Sequence, residues 1–341
     1  MRENQHPGAL PLPFGEQAEI DCKTDFAAVT VVPVRDGEAP YIAAPGRGDG
    51  QVQFEVRKEG NVVYVRLNRR DSFIPWGRHD QAVVLHVPRV LGGLISTSAG
   101  SIQAEDLGPC DLELSSNAGR VEVRRMTGRL RLRSDAGRIE AADLGPGEFE
   151  LSSAAGRISV QGARGRLRLS SNAGRIDGER LAGSIEAESD LGTVRLGIVW
   201  LDPGEHRVRA QLGSVRVELA RGLDARVEGH ASLGSVRIQY PAHPNAAAVL
   251  RCTTDAGSIR VQEGDSPAEP PAAERSRPSP SADEAPSPAF TAPEPSTEPV
   301  ADPTEPRATA GTETERILKL VEGGEISSAD AEELLRALEQ E

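Results

Sequence analysis

The sequence predicts an all-β protein: a parallel two-sheet β-solenoid of roughly 18–20-residue coils, followed by a disordered linker and a small α-helical hairpin. Three observations carry this reading. Glycine recurs at 119, 128, 137, 147, 156, 165, 174, 183 and 192, each followed by a short alternating strand such as GRVEV, GRLRL, GRIEA or GEFEL. A second spacing lies inside the first, because every other glycine closes a Ser-x-Ala-Gly turn: SNAG at 116–119, SDAG at 134–137, SAAG at 153–156 and SNAG at 171–174. Finally, only 3% of residues are aromatic, which suits a narrow core of Val, Ile, Leu and Ala. A fixed period of this kind marks a unit that buries its apolar side only by stacking on its neighbours.

The Ser-x-Ala-Gly set extends to Gly100, Gly192, Gly213, Gly234 and Gly257, with spacings of 19, 18, 19, 18, 18, 21, 21 and 23 residues. One coil is therefore two strands and two turns, lengthening toward the C-terminus. Each glycine marks a positive φ or a close approach to the next coil, which a Cβ would obstruct. Alternation with period two sends Val121 and Val123, Leu130 and Leu132, Phe149 and Leu151, Ile158 and Val160, and Leu167 and Leu169 to the inside. Parallel stacking places equivalent residues about 4.8 Å apart and builds columns of like residues.

The outward columns carry charge. Arg129, Glu148 and Arg166 form one, and Arg131, Glu150, Arg168 and Glu186 the next, alternating in sign from coil to coil. On the other strand Arg120, Arg138, Arg157 and Arg175 form a column of like charge beside the largely acidic Glu122, Glu140, Ser159 and Asp177. Two readings stay open: a solvated, internally compensated face, or an anion-binding stripe along the four arginines.

Taken in order, residues 1–17 read as a flexible lead. Residues 18–262 form the solenoid, with irregular coils over 18–97 and regular ones over 98–262. The stretch DSFIPWGRHD at 71–80 is a loop whose Trp76 caps the core. At about nineteen residues per coil, the solenoid holds roughly a dozen coils in a rod roughly 60 Å long. Residues 263–311 are dominated by Pro, Ala, Ser, Glu and Thr and read as a disordered linker. Residues 312–341 read as a helical hairpin, with Ile317, Leu320 and Val321 lining the first helix, Gly323 and Gly324 breaking it, and Ser327 as an N-cap. Ile326, Leu334, Leu335 and Leu338 complete its apolar side. So short a hairpin buries too little to stand alone, so it docks on the solenoid, on a second copy or on another protein.

Composition narrows the partners. The formal charge of −13 lies in residues 263–341, with 19 acidic and 6 basic side chains, leaving 33 of each sign in residues 1–262. A neutral body with few aromatic residues excludes general nucleic-acid binding. No apolar run is long enough to span a membrane, and the N-terminus lacks the apolar stretch of a secretory signal. Cys22, Cys110 and Cys252 are odd in number and widely spaced, as reduced structural thiols are. The expected location is the cytoplasm, with leaderless export and peripheral association with the envelope left open. The six histidines (His6, His79, His86, His206, His230, His243) lack metal-ligand spacing, and His206 and His230 are expected to be solvated. The glycines at 46, 48 and 50 precede no helix, and Arg-Gly-Asp at 47–49 is too short a match to carry weight. The expectation is a protein with no cofactor, no metal and no enzymatic activity.

VVLHVPRVLGGLISTSAGSIQAEDL at 83–107, with the Ser-x-Ala-Gly-Arg coils that follow, resembles the bacterial putative-adhesin β-solenoid family of YvlB- and LiaX-like proteins across residues 18–262. ILKLVEGGEISSADAEELLRAL at 317–338 resembles the SHOCT-like helical hairpin of the same proteins, here at the C-terminus. The resemblance implies a noncatalytic scaffold, linked in some members to cell-envelope stress signalling, and supplies no catalytic residues. The expected function is an adhesin-like scaffold that presents a repetitive surface and recruits a protein partner or itself through the hairpin. A self-assembling, filament-forming solenoid is the alternative, and a polysaccharide-acting β-helix enzyme ranks behind both.

Overall fold

The computed structural model describes residues 9–15, 18–43, 52–69 and 82–269. The chain divides into two compact units, Met1–Ser279 and Pro280–Glu341. The described residues all lie in the first, so the hairpin residues, most of the expected linker, the 71–80 loop with Trp76, and Arg-Gly-Asp at 47–49 fall outside them.

The described residues are all β, without a helix. In chain order the strands are β1 (Ala9–Pro11), β2 (Glu19–Thr24), β3 (Ala28–Pro33), β4 (Tyr41–Ala43), β5 (Val52–Glu59), β6 (Val62–Arg69), β7 (Ala82–Val87), β8 (Gly92–Thr97), β9 (Ile102–Glu105), β10 (Cys110–Ser116), β11 (Arg120–Arg124), β12 (Gly128–Ser134), β13 (Arg138–Leu201), β14 (Gly204–Arg221), β15 (Ala225–Gln239) and β16 (Ala248–Pro267). β13 runs for 64 residues because pairing continues through the turns of successive repeats.

One flank of the sheet runs β6-β2-β8-β10-β12 and the other β7-β3-β9-β11, and both meet β13. These ladders are parallel and pair like with like a repeat apart: Leu112 with Leu130, Val121 with Ile139, Leu130 with Phe149, Leu132 with Leu151. Most inward residues join one apolar cluster that extends from Leu12 to Val261, and Ala182, Val199 and Ala220 form a second, small one.

The packing explains the turn motif. A Cβ on Gly119, Gly137, Gly156 or Gly174 would lie 1.7–1.9 Å from the carbonyl oxygen of the glycine one coil earlier. At these positions close approach is what excludes a side chain. The first residue of the motif has its own task, which the sequence reading passed over. Thr97, Ser116 and Ser134 are buried, and their hydroxyls accept the N–H of Gly100, Gly119 and Gly137 at 2.9, 2.8 and 3.0 Å. A backbone donor inside the turn is thereby satisfied.

Four details differ from expectation. The lead is not free throughout: β1 pairs antiparallel with β4, and Leu12 is buried in the core. Regular structure passes the expected linker boundary, since β16 continues to Pro267 and the N–H of Glu269 donates to Val199 O at 3.0 Å. Stacking order departs from chain order at both ends. β2 lies between β6 and β8, while β16 pairs with both β14 and β15, leaving the earlier β15 outermost. Lastly, His206 is buried rather than solvated: its Nδ1 accepts the Ile185 N–H at 3.2 Å, and its Nε2 donates to Asp202 O at 2.8 Å. His230 is exposed, as expected.

The thiols of Cys22, Cys110 and Cys252 are free and buried. Burial pushes all three up to about 12, with Asp21 adding to the effect at Cys22 and Asp111 at Cys110. At pH 8 the native thiols should therefore react with iodoacetamide roughly a thousandfold more slowly than free cysteine. Mass spectrometry should count all three labels only after guanidinium unfolding. Gly137→Ala should cost at least ~3 kcal/mol, because its Cβ meets backbone that cannot yield. Gly264→Ala is the control: its nearest neighbour lies at an ordinary 3.5 Å, so urea denaturation should show a change of less than ~1 kcal/mol.

Candidate functional surface

The regular registers turn the sequence into surface columns, and over most of the length their charges cancel. Arg129 reaches Glu148 at 3.3 Å and Asp111 at 3.7 Å, Arg166 reaches the same Glu148 at 3.9 Å, and Arg131 reaches Glu150 at 3.5 Å. Arg168 pairs with Glu186 at 2.9 Å, which raises the guanidinium's pKa further. The alternation read from the sequence is thus present as ion pairs between neighbouring coils. These pairs are solvent-exposed, so they fix register more than they add stability.

The candidate anion column is compensated in the same way. Arg120 and Arg138 both face Glu140, at 3.9 and 3.2 Å, and Arg157 faces Asp177 at 3.8 Å. Arg175 alone of the four has no ion-pair partner among the described residues. The seven hairpin positions, Ile317, Leu320, Val321, Ile326, Leu334, Leu335 and Leu338, lie outside the described residues.

A corner of the coil carries a further ladder. Asp106, Arg125, Asp143 and Arg180 all have φ between 50 and 60°, with Gly162 at 68° between the last two. Arg125 hydrogen-bonds Asp106 at 2.6 Å and also holds Glu105, and the first bond keeps the Asp106 carboxyl below the usual carboxylate range. Arg180 reaches Asp143 at 3.9 Å past Gly162, where a side chain would crowd both.

The C-terminal end of the stack differs from everything before it. Among the described residues β15 pairs on one side only, with β16. Its Val236 and Ile238 occupy the register of the buried Ile259 and Val261, yet they are 41% and 39% exposed. At the adjoining turn Leu191, Leu212 and Leu233 are 52%, 52% and 71% exposed. Register stacks Leu191 on Leu212, with Ala256 between Leu212 and Leu233. Among the described residues this strand edge is therefore unpaired and rimmed by an apolar ridge. The sequence reading placed these leucines only within the turn motif and gave them no surface role. The available signal was the turn residue before glycine, which changes from Ala at 118, 136, 155 and 173 to Leu at 191, 212 and 233.

Among the described residues no three metal-ligating side chains cluster. One depression on the outer face is lined by Glu113, Arg131, Glu150, Arg168 and Glu186.

A family profile described as Toastrack DUF4097 matches residues 20–279, and one described as a SHOCT-like domain matches residues 312–341. No curated protein matches significantly. Two crystal structures are similar in part. One is of a "putative cell adhesion protein" from Clostridium sporogenes, at 6% identity and TM-score 0.20, covering 75% of this chain and 96% of that one. The other is of a "putative adhesin" from Bacteroides fragilis, at 13% identity and TM-score 0.33, covering 74% and 95%.

At the open end Arg251 holds Glu228 at 3.0 Å and also Glu205, tying three coils together. The hydrogen bond from Arg251 depresses the Glu228 pKa. The stabilisation is present above the ordinary carboxylate pKa and is lost as pH falls through the depressed value. Arg251→Ala should move the Glu228 titration upward, read by carboxyl-carbon NMR against pH, and leave that of Asp106, which Arg125 sets, unmoved.

Proposed function

This chain belongs to the Toastrack DUF4097 family, and on that premise we propose that it is a noncatalytic, adhesin-like scaffold. In this reading it is a two-sheet parallel coil that displays a repetitive surface and holds a protein at its open end. Residues 312–341, which match a SHOCT-like domain, form a second recruiting element. The observation that carries the proposal is the edge of β15 with its rim of Leu191, Leu212 and Leu233. Exposed apolar residues in one contiguous place are what a protein contact needs, while the charge columns of the earlier coils are compensated by ion pairs within the surface. The setting proposed is the cytoplasmic side of the cell envelope, in its stress response. No helix among the described residues is long and apolar enough to cross a membrane.

The same edge favours a filament as the second reading, but the opposite end does not supply the matching half. There β1, β4 and β5 run antiparallel to their neighbours and interrupt the parallel ladder that a head-to-tail contact would have to continue.

The test is affinity capture from source cells with three baits: the full chain, a Leu212→Ser/Leu233→Ser variant, and a chain ending at Ser279. The variant should lose the partner held at the open end, and the truncated chain should lose partners recruited by residues 312–341. Identical recovery by all three would sink the proposal, and filaments of the purified full chain in electron micrographs would replace it with the second reading.

A further inference from the structure

Beyond Gly192 the repeat changes its chemistry. In the earlier coils the turn reads AGRVE, AGRIE, AGRIS and AGRID, with arginine one place after glycine and, in three of the four, an acid two places further on. In the later coils it reads LGTVR, LGSVR, LGSVR and AGSIR. Arginine has moved to the third place, and the acid is gone. Register aligns these arginines: Arg195 lies opposite Arg216, Arg216 opposite Arg260, and Arg260 opposite Arg237. All four are exposed, and none has a carboxylate within ion-pair reach among the described residues.

A second column runs beside the first. Thr193 lies opposite Ser214, and Ser258 lies between Ser214 and Ser235. These hydroxyls share the outward face with the arginines, two residues or about 7 Å away along each strand. The nearest acid on the other side, Glu218, is engaged by Gln262 at 3.1 Å.

Like charges directly opposite one another on neighbouring strands are destabilising, and elsewhere this chain avoids them by alternation or by an acidic neighbour. Four in succession, about 4.8 Å apart, form a row of forks that only an external anion neutralises. Guanidinium matches both carboxylate and phosphate. The hydroxyl row decides between them: a carboxylate is satisfied by one fork, whereas a tetrahedral oxyanion has further oxygens to accept O–H donors. We propose that the stripe of Arg195, Arg216, Arg260 and Arg237 binds a linear anion carrying phosphoryl groups in series, laid along the stacking direction. The stripe meets the open edge only at Arg237 on β15, whereas Arg195, Arg216 and Arg260 lie on strands inside the stack.

The probe is linear inorganic polyphosphate, titrated into the full chain by calorimetry at low and moderate salt, with orthophosphate, poly-glutamate and phosphatidylglycerol vesicles in parallel. Polyphosphate should bind, far more tightly than orthophosphate, and its affinity should fall with salt as counterion release requires. Arg216→Gln/Arg260→Gln should weaken binding at least tenfold and flatten the salt dependence, whereas Arg129→Gln/Arg168→Gln should leave both unchanged. Because it relieves repulsion, the first variant should also melt higher than the parent in the absence of ligand, which separates lost binding from lost folding. No binding of polyphosphate at low salt, equal binding by the two double variants, or equal or tighter binding of poly-glutamate would each overturn the proposal. Binding to vesicles without binding to the soluble chain would make the stripe a membrane contact and overturn it too.

Discussion

The fold depends on backbone lying directly on backbone at the turns. Gly119 sits over Gly100, Gly137 over Gly119, Gly156 over Gly137 and Gly174 over Gly156, each so close that a Cβ would overlap the carbonyl below. A second file, Gly128, Gly147, Gly165 and Gly183, does the same at the next turn. With both turns stacked this tightly a coil has no freedom to slip, so register follows from the glycines before any side chain contributes. The apolar columns and the charge ladders follow from that register. Hydroxyls such as those of Ser116 and Ser134 are placed where the turn exposes a glycine N–H.

A locked register also makes the surface a one-dimensional text, in which each position of the repeat becomes a line of side chains about 4.8 Å apart. Such a line must alternate, be neutralised by the next line, or accept repulsion. Arg129, Glu148 and Arg166 take the first course, and Arg138 beside Glu140 takes the second. The column from Arg195 to Arg237 takes the third. Since the same repeat supplies the first two solutions many times over, the third reflects a demand placed on the surface from outside the fold.

Much of this was legible in the sequence because every relevant signal is local and repeated. The glycine beat, the inward residues from Val121 to Leu169 and the alternating charges need only period and alternation to be read. What escaped the reading is whatever depends on which coil meets which. All coils share one pattern, so nothing local distinguishes β16 stacking on β14 from β15 stacking there. His206 escaped for a related reason: its acceptor role is to Ile185, one coil away, where no spacing rule points. The exposure of Leu191, Leu212 and Leu233 escaped as well, because their place in the turn motif does not say which way that turn faces.

The exchange of β15 and β16 has a consequence for function. If coils stacked in chain order, the last strand would be outermost, and the chain leaving it would lie against its own open edge. Instead β16 is enclosed between β14 and β15, and the segment after it is drawn sideways by Ala268 N–H on Arg221 O and Glu269 N–H on Val199 O, at 3.1 and 3.0 Å. The outermost strand is then β15, whose two ends turn back into the stack. Its return loop is held by the Tyr240 hydroxyl on Leu223 O. A coil that stacked in simple order would need a cap there. Here, among the described residues, the outermost edge stays unpaired and carries the exposed Val236, Ile238 and Leu233, and it is on these features that the proposed contact at that end rests.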